Sequence, residues 1–296
     1  MSENGRQSPG RGGGVFSGRA VAVMVAVGLL CFTAAAMIAI YADPRTENTY
    51  GGNAYSYSAI GHKAWTEILE DLDIPVLISR NDSAAKAYTG NGLLVLAQPD
   101  SREIALESVD SLYGTDRALL VLPKWNAAPD FNNRRWVKVL RERDIKAIED
   151  VLHVVDEDAT LLRSKGPAEL RGVDWDTLPT LEDAQLIRSD KISPIVYNDE
   201  GVLLGEYELW GTRVWVLSDP DVISNSGIDE GGNAAFAVAI VDFLLPAGSA
   251  AVFDETIHGF TVSPNLWKAL LDFPLNLALL QSLLAAAILV WAAAGR

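Results

Sequence analysis

The chain is almost without cysteine. Cys31 is the only one in 296 residues, and it falls inside an apolar run, so a disulfide framework, a zinc knuckle and an exposed thiol nucleophile are all excluded. Histidine is nearly as scarce, with three. There is no Gly-x-Ser-x-Gly or Gly-x-Cys-x-Gly elbow, and no serine stands beside a histidine in a hydrolase motif. Ser218 closes a β-type run, but no flanking glycines supply the tight turn that would expose it. Phosphate-binding signatures are missing as well: Gly90-Asn91-Gly92 precedes a β-type run instead of following one, and Gly231-Gly232 reads as a helix entry beside Asn233.

A broad basic surface is also lacking. With 39 acidic against 24 basic residues the formal net charge is −15. Such a surface repels phosphodiester backbones and argues against nucleic acid as a partner. The one dense basic stretch, Arg134, Arg135, Lys138, Arg141, Arg143 and Lys146, is interleaved with Val137, Leu140 and Ile145 and reads as the solvated face of a helix. A docking strip for an acidic partner is the competing reading. No repeat period is evident, and the only low-complexity piece is the N-terminal tail.

What the sequence does have is two long uncharged runs. Residues 20–41 contain no ion and are about the 20 residues needed to cross a hydrocarbon core of about 30 Å. A cleaved signal peptide competes with this reading, but the run is longer than an ordinary apolar signal region and no A-x-A site follows a short stretch. Before it, residues 1–19 are rich in Gly and Ser and carry Arg6, Arg11 and Arg19, which suits a disordered cytoplasmic tail and a segment beyond the span that faces outward. The second run, residues 273–295, starts with Pro274 in a first helical turn and is followed by Arg296. An apolar helix packed on the domain is its alternative. The expected localisation is the bacterial inner membrane, with the central domain extracytoplasmic.

Residues 42–53 are polar, with Pro44 and Gly51-Gly52, and read as a linker. Residues 54–272 then alternate helical and β-type patterns. Ser58 is placed to cap a helix whose apolar residues Trp65, Ile68, Leu69 and Leu72 recur at helical spacing. Ile74 to Ser79, Leu93 to Ala97 and Ala118 to Leu122 are apolar on successive residues, as strands buried on both faces of a parallel sheet are. Between the last two, Ile104, Leu106, Val109 and Leu112 predict a crossover helix. Residues 124–200 carry Pro129, Pro167, Pro179 and Pro194 and read as an elaborated insertion with small strands of its own. Val202 to Leu209 and Thr212 to Leu217 form a hairpin about Trp210-Gly211. A helix from about Gly232 to Leu245 and a buried strand at Ala250 to Phe253 complete the pattern. The fold expected is α/β: an open, mostly parallel flavodoxin-like sheet flanked by helices, with one transmembrane helix at each end.

In such sheets ligands collect beyond the carboxyl ends of the strands. The polar residues there are Lys124 and Trp125, then Asp219, Asp221 and Asn225, then Asp254, Glu255 and His258, with Asn233 at the following helix entry. These nine are the candidate ligand-binding residues, and no catalytic set is assigned. Glu255 or His258 as a general base with Lys124 opposite a developing anion would describe a hydrolase, but one without a nucleophile. A cation held by Asp254, Glu255 and His258 is conceivable; carboxylates bonded to backbone amides at a loop are the simpler account, and neither metal nor cofactor is expected.

The order of Tyr57-Ser58-x-x-Gly61-x-x-Ala64, Leu119-Leu120-Val121-Leu122-Pro123-Lys124-Trp125, Trp210-Gly211-x-Arg213, Leu217-Ser218-Asp219-Pro220-Asp221-x-x-x-Asn225, Asn233-Ala234 and Phe253-Asp254-Glu255-x-x-x-Gly259-Phe260 between two apolar runs resembles a bacterial membrane family, the domain of unknown function numbered 4350. The resemblance implies a domain similar to ThuA-like and class I glutamine amidotransferase folds, without the amidotransferase cysteine. It also implies partners, a MoxR-type AAA+ ATPase and a von Willebrand A-like protein. With two spans, an acidic outward domain and no nucleophile, the function expected is a membrane-anchored, non-catalytic binding or scaffold subunit. A metal-assisted or acid–base hydrolase and a receptor for a small polar ligand such as a sugar are the alternatives.

Overall fold

A computed structural model describes residues 27–28, 30–34, 50–110, 115–133, 136–173, 175, 177–261 and 275–294. Residues 46–262 group into one compact unit, and the two chain ends into another. The expected tail, 1–19, and most of the first apolar run lie outside the described residues. Among those described, no helix is long and apolar enough to cross a membrane.

Twelve strands and six helices are described in chain order: α1 (Lys63–Asp71), β1 (Val76–Ser79), α2 (Ser83–Thr89), β2 (Leu93–Ala97), α3 (Arg102–Asp110), β3 (Arg117–Val121), β4 (Trp125–Pro129), β5 (Val137–Glu142), α4 (Ile145–Leu152), β6 (Thr160–Arg163), β7 (Arg171–Gly172), β8 (Gln185–Arg188), β9 (Ser193–Tyr197), β10 (Val202–Leu209), β11 (Thr212–Leu217), α5 (Asn233–Leu244), β12 (Ala251–Asp254) and α6 (Leu275–Ala294). The main sheet runs β1-β12-β2-β3-β11-β10-β8-β6, with β9 paired to β10 and β7 to β9. Its first five strands pair in parallel. The strands beyond β11 pair antiparallel.

The strand order differs from the flavodoxin pattern, in which the chain's last strand lies at an edge. Here the chain skips one position between β1 and β2, and β12 returns to fill it. The insertion is also not a separate set of small strands. Its β6, β7, β8 and β9 extend the main sheet, and only the β4–β5 hairpin stands apart.

The two-faced burial expected of a parallel sheet is what divides the core. On β2, Leu93, Val95 and Ala97 face one cluster while Leu94 and Leu96 face the other. Helices α1 and α5 cover the first face through Trp65, Leu69, Phe236, Ala237, Ile240, Val241 and Leu244. On the second face lie Ala87 of α2, Ala105 of α3 and Ile148, Val151 and Leu152 of α4. Each fully buried leucine, valine or phenylalanine contributes roughly 1.5–3 kcal/mol. Trp65 joins two elements at once, packing edge-on at 5.1 Å against Phe253 and donating its indole N–H to the carbonyl of Ala237 at 3.1 Å.

Several expectations shift. The first helix starts at Lys63, with His62 and not Ser58 in the capping position; the Ser58 hydroxyl instead donates to the Tyr50 carbonyl at 2.6 Å. Leu72 lies past the helix end and is exposed. In α3 the inward residue is Ala105, and Leu106 faces out. The basic stretch is no helix face: Lys138 and Arg141 stand on β5, and α4 begins only at Ile145, capped by the Asp144 carboxylate accepting the Lys146 amide. The hairpin at Trp210-Gly211 forms as expected, with φ of 52° and 89° at the two turn residues, the left-handed pair that a two-residue turn requires.

Candidate functional site

The carboxyl ends of β2, β3 and β12 meet at a cavity of about 190 Å³. Its walls come from five stretches of chain: Tyr50 to Asn53 with Ile60, Gln98 and Asp100 after β2, Pro123 and Trp125 after β3 with Asn126 and Ala127 on the hairpin, Arg143, and His258. That is the expected place for a ligand in an open α/β sheet. It is also where both ends of the unit converge. The amide of Ala54 donates to Glu255 Oε1 at 2.8 Å, and the Tyr55 and Phe260 rings lie 5.0 Å apart.

Of the nine candidates, only Trp125 and His258 line the cavity. Glu255 stands behind His258, its Oε2 2.9 Å from Nδ1, and the Glu255 side chain is 2 % exposed. Burial disfavours the imidazolium, but Glu255, then Asp100 and the backbone of Gln98, more than offset it and raise the His258 pKa above its ordinary value. His258 Nε2 is closed off from solvent and has no hydrogen-bond partner.

Lys124, Asp219 and Asp221 form a separate buried knot. The Lys124 ammonium lies 2.8 Å from Asp219 Oδ2 and 2.6 Å from Asp221 Oδ2, with its side chain 2 % exposed. Asp219 also accepts the amides of Gln185 at 2.8 Å and Asp221 at 3.0 Å. Burial alone would lower the lysine, yet the two carboxylates hold it above its usual range. Burial is the largest influence on Asp219 too, and with the charge of Asp221 it outweighs Lys124, so this carboxyl sits above the usual carboxylate range. The two directions agree because one ammonium is shared: the lysine gains from both acids, and each acid has only part of a cation. Asp221 reaches further and accepts the Trp125 indole N–H at 2.6 Å, which fixes the ring at the cavity wall.

The remaining candidates close loops. Asn225 donates to the carbonyls of Ser56 and Ser58 and accepts the amide of Ala64, pinning the segment before α1. Asn233 bonds both backbone groups of Thr180 and the carbonyl of Gly227. Asp254 accepts from the Ser83 hydroxyl and from the amide and hydroxyl of Thr256. Ser218 is buried, and its hydroxyl donates to the Gln185 carbonyl at 2.6 Å, so it is no nucleophile. Among the described residues no three His, Cys, Asp or Glu side chains are grouped to hold a metal ion.

Sequence reasoning missed most of the lining. Tyr50 to Asn53 were read as linker, yet Asn53 is 1 % exposed. Gln98 and Asp100 follow β2, so the rule that ligands gather at strand ends would have reached them had they been included. Gly52 carried a signal as well: a Cβ there would lie 2.7 Å from Gln98 Nε2 and would push the Gln98 amide from its place in the wall. Arg143 was counted with a solvated stripe, but it donates to Asn126 and to the carbonyl and carboxylate of Asp100.

Fold and cavity thus define a three-layer α/β domain with a small polar site at the carboxyl edge of its parallel strands. Residues 54–241 match the family model described as a domain of unknown function, DUF4350, and the chain belongs to that family. No curated protein matches it.

Proposed function

We propose that this chain is a membrane-anchored, non-catalytic binding subunit of the bacterial inner membrane, which holds its α/β unit outside the cytoplasm and offers the cavity to a small polar ligand. The cavity carries the reading. Its lining has amides, a guanidinium, a carboxylate, a phenol, an imidazole and an indole, but no serine, threonine or cysteine to attack a substrate. The acid–base alternative rests on Glu255 or His258 as the base, and the Glu255 side chain is 2 % exposed while His258 Nε2 is sealed. Anchoring is supported by the two uncharged runs of sequence. It is supported also by Leu277, Leu280, Leu283 and Leu284 of α6, each more than half exposed, which water does not favour.

The parallel core of the mixed sheet and the missing nucleophilic cysteine favour a ThuA-like or amidotransferase-like origin that has lost its chemistry. On the family resemblance, the subunit works as a scaffold in an assembly with a MoxR-type AAA+ ATPase and a von Willebrand A-like protein. Two measurements test this. Protease protection in sealed membrane vesicles is expected to place residues 46–262 on the outer side, and protection on the cytosolic side refutes it. Co-purification from detergent-solubilised membranes is expected to recover both partners; a protein that always emerges alone refutes the assembly.

A further inference from the structure

The cavity's charge balance says more about what enters it. Its ionisable wall residues besides Tyr50 come in compensated pairs: Arg143 with Asp100 at 3.1 Å, and His258 with Glu255 behind it at 2.9 Å. A fully charged ligand buried here would therefore lack a counter-charge, which is costly in a partly desolvated site. The other polar walls are Gln98, Asn126 and Asn53. Gln98 donates to the Ile60 carbonyl and Asn126 accepts from Arg143, so toward a ligand Gln98 offers its amide oxygen and Asn126 its amide NH2, an acceptor and a donor, while Asn53 accepts the Tyr55 amide. Hydroxyl groups answer such a mixture, because each of them both donates and accepts.

Apolar contact comes from Trp125, Pro123, Ile60 and Ala127. The Trp125 ring is held by Asp221 through its N–H, so the indole is pre-positioned and loses little entropy on contact. At about 190 Å³ the space is smaller than the roughly 300–1,000 Å³ of drug-sized sites. It suits a single ring or a short polyol and not a nucleotide.

We infer that the cavity selects a neutral, hydroxyl-rich ligand of one-ring size and discriminates against its charged analogues, with Trp125 as the packing surface and the Arg143–Asp100 and His258–Glu255 pairs keeping the wall neutral. This rests on the binding reading above and is separable from it.

The test uses the full chain in detergent micelles and a matched series of probes: D-glucose and myo-inositol as neutral rings, D-glucuronate as the acid and D-glucosamine as the base. Calorimetry and thermal shift are expected to show a neutral ring binding at least tenfold more tightly than either charged one. Arg143→Met, which uncovers Asp100, is expected to reverse the order in favour of D-glucosamine. Trp125→Phe is expected to keep the neutral preference and Trp125→Ala to weaken it, so a misfolded alanine variant does not decide the outcome. Tighter binding of D-glucuronate or D-glucosamine by the unaltered chain overturns the neutral class while leaving a binding subunit intact. If none of the four binds at 100-fold the concentration of protein sites, the inference falls, and the binding reading is decided separately by the co-purification from membranes.

Discussion

His62 should make the α/β unit acid-labile. Its side chain is fully buried, and neither ring nitrogen has a hydrogen-bond partner. Burial, and then the positive charge of His258, lower its pKa from 6.5 to about 3, with only the Gly52 backbone acting the other way. The unfolded chain takes up a proton at His62 below about pH 6.5, which the folded chain refuses until about pH 3. The stability from keeping this ring neutral is thus complete above pH 6.5 and is lost as pH falls through that window. At pH 5 the deficit is 1.5 pH units at 1.36 kcal/mol each, about 2 kcal/mol. His258 runs the other way. Its pKa is raised, so its contribution is complete below 6.5 and is lost as pH rises through its folded value. Asp219, raised to about 6, likewise loses its contribution as pH rises through that value and so offsets part of the His62 loss on acidification. Urea denaturation of residues 46–262 at pH 8, 6.5 and 5 would measure the curve. Replacing His62 with Leu should cut the loss between pH 6.5 and 5 by about 2 kcal/mol, whatever it does to stability at pH 8. Equal losses in variant and parent would refute the reasoning, because acid lability would then come from other groups.

Two further outcomes follow from the packing. Lys124→Met should destabilise the unit by about 3–5 kcal/mol, since Asp219, fully buried, would be left without its cation; Lys124→Met with Asp219→Asn, which removes the charge and keeps an acceptor for the backbone amides, should recover much of that, and urea midpoints would show whether it does. Gly61→Ala should cost about 1–3 kcal/mol, because the added Cβ would meet the backbone carbonyl oxygen of Ser56 at 2.3 Å and shift the segment that walls the cavity; thermal melts would report it, and an unchanged melting temperature would mean that segment is not tightly packed.

The inner strands β2, β3 and β12 of the parallel core were legible because each is buried on both faces and so is written as an unbroken apolar run. Leu93 to Ala97 was located to the residue. The hairpin at Trp210-Gly211 was legible from local turn chemistry. The short α2 left no comparable mark: seven residues, Ser83–Thr89, with only Ala87 and Ser83 buried, give too little apolar periodicity to see. The order of strands is not local information at all. Whether β12 joins at an edge or enters between β1 and β2 depends on which slot the first crossover left open. The β5 stretch misled for a related reason: with Arg and Lys interleaved among Val and Leu, helical and strand spacings both fit, and pairing with β4 decided the matter.

The candidate residues sorted themselves by a criterion that a sequence does not display, namely whether unsatisfied backbone groups lie within reach. An Asp or Asn at a strand end can meet a ligand or satisfy neighbouring amides and carbonyls, and burial without hydrogen bonds costs enough to favour the second use wherever such groups are near. Asn225, Asn233 and Asp254 went that way. Asp221 did both, since the carboxylate that closes the Lys124 knot also holds the indole N–H of Trp125. The ring at the cavity wall is therefore set by an ion pair that does not itself line the cavity. A substitution in that knot is expected to shift the angle of Trp125 without removing any residue that lines the cavity.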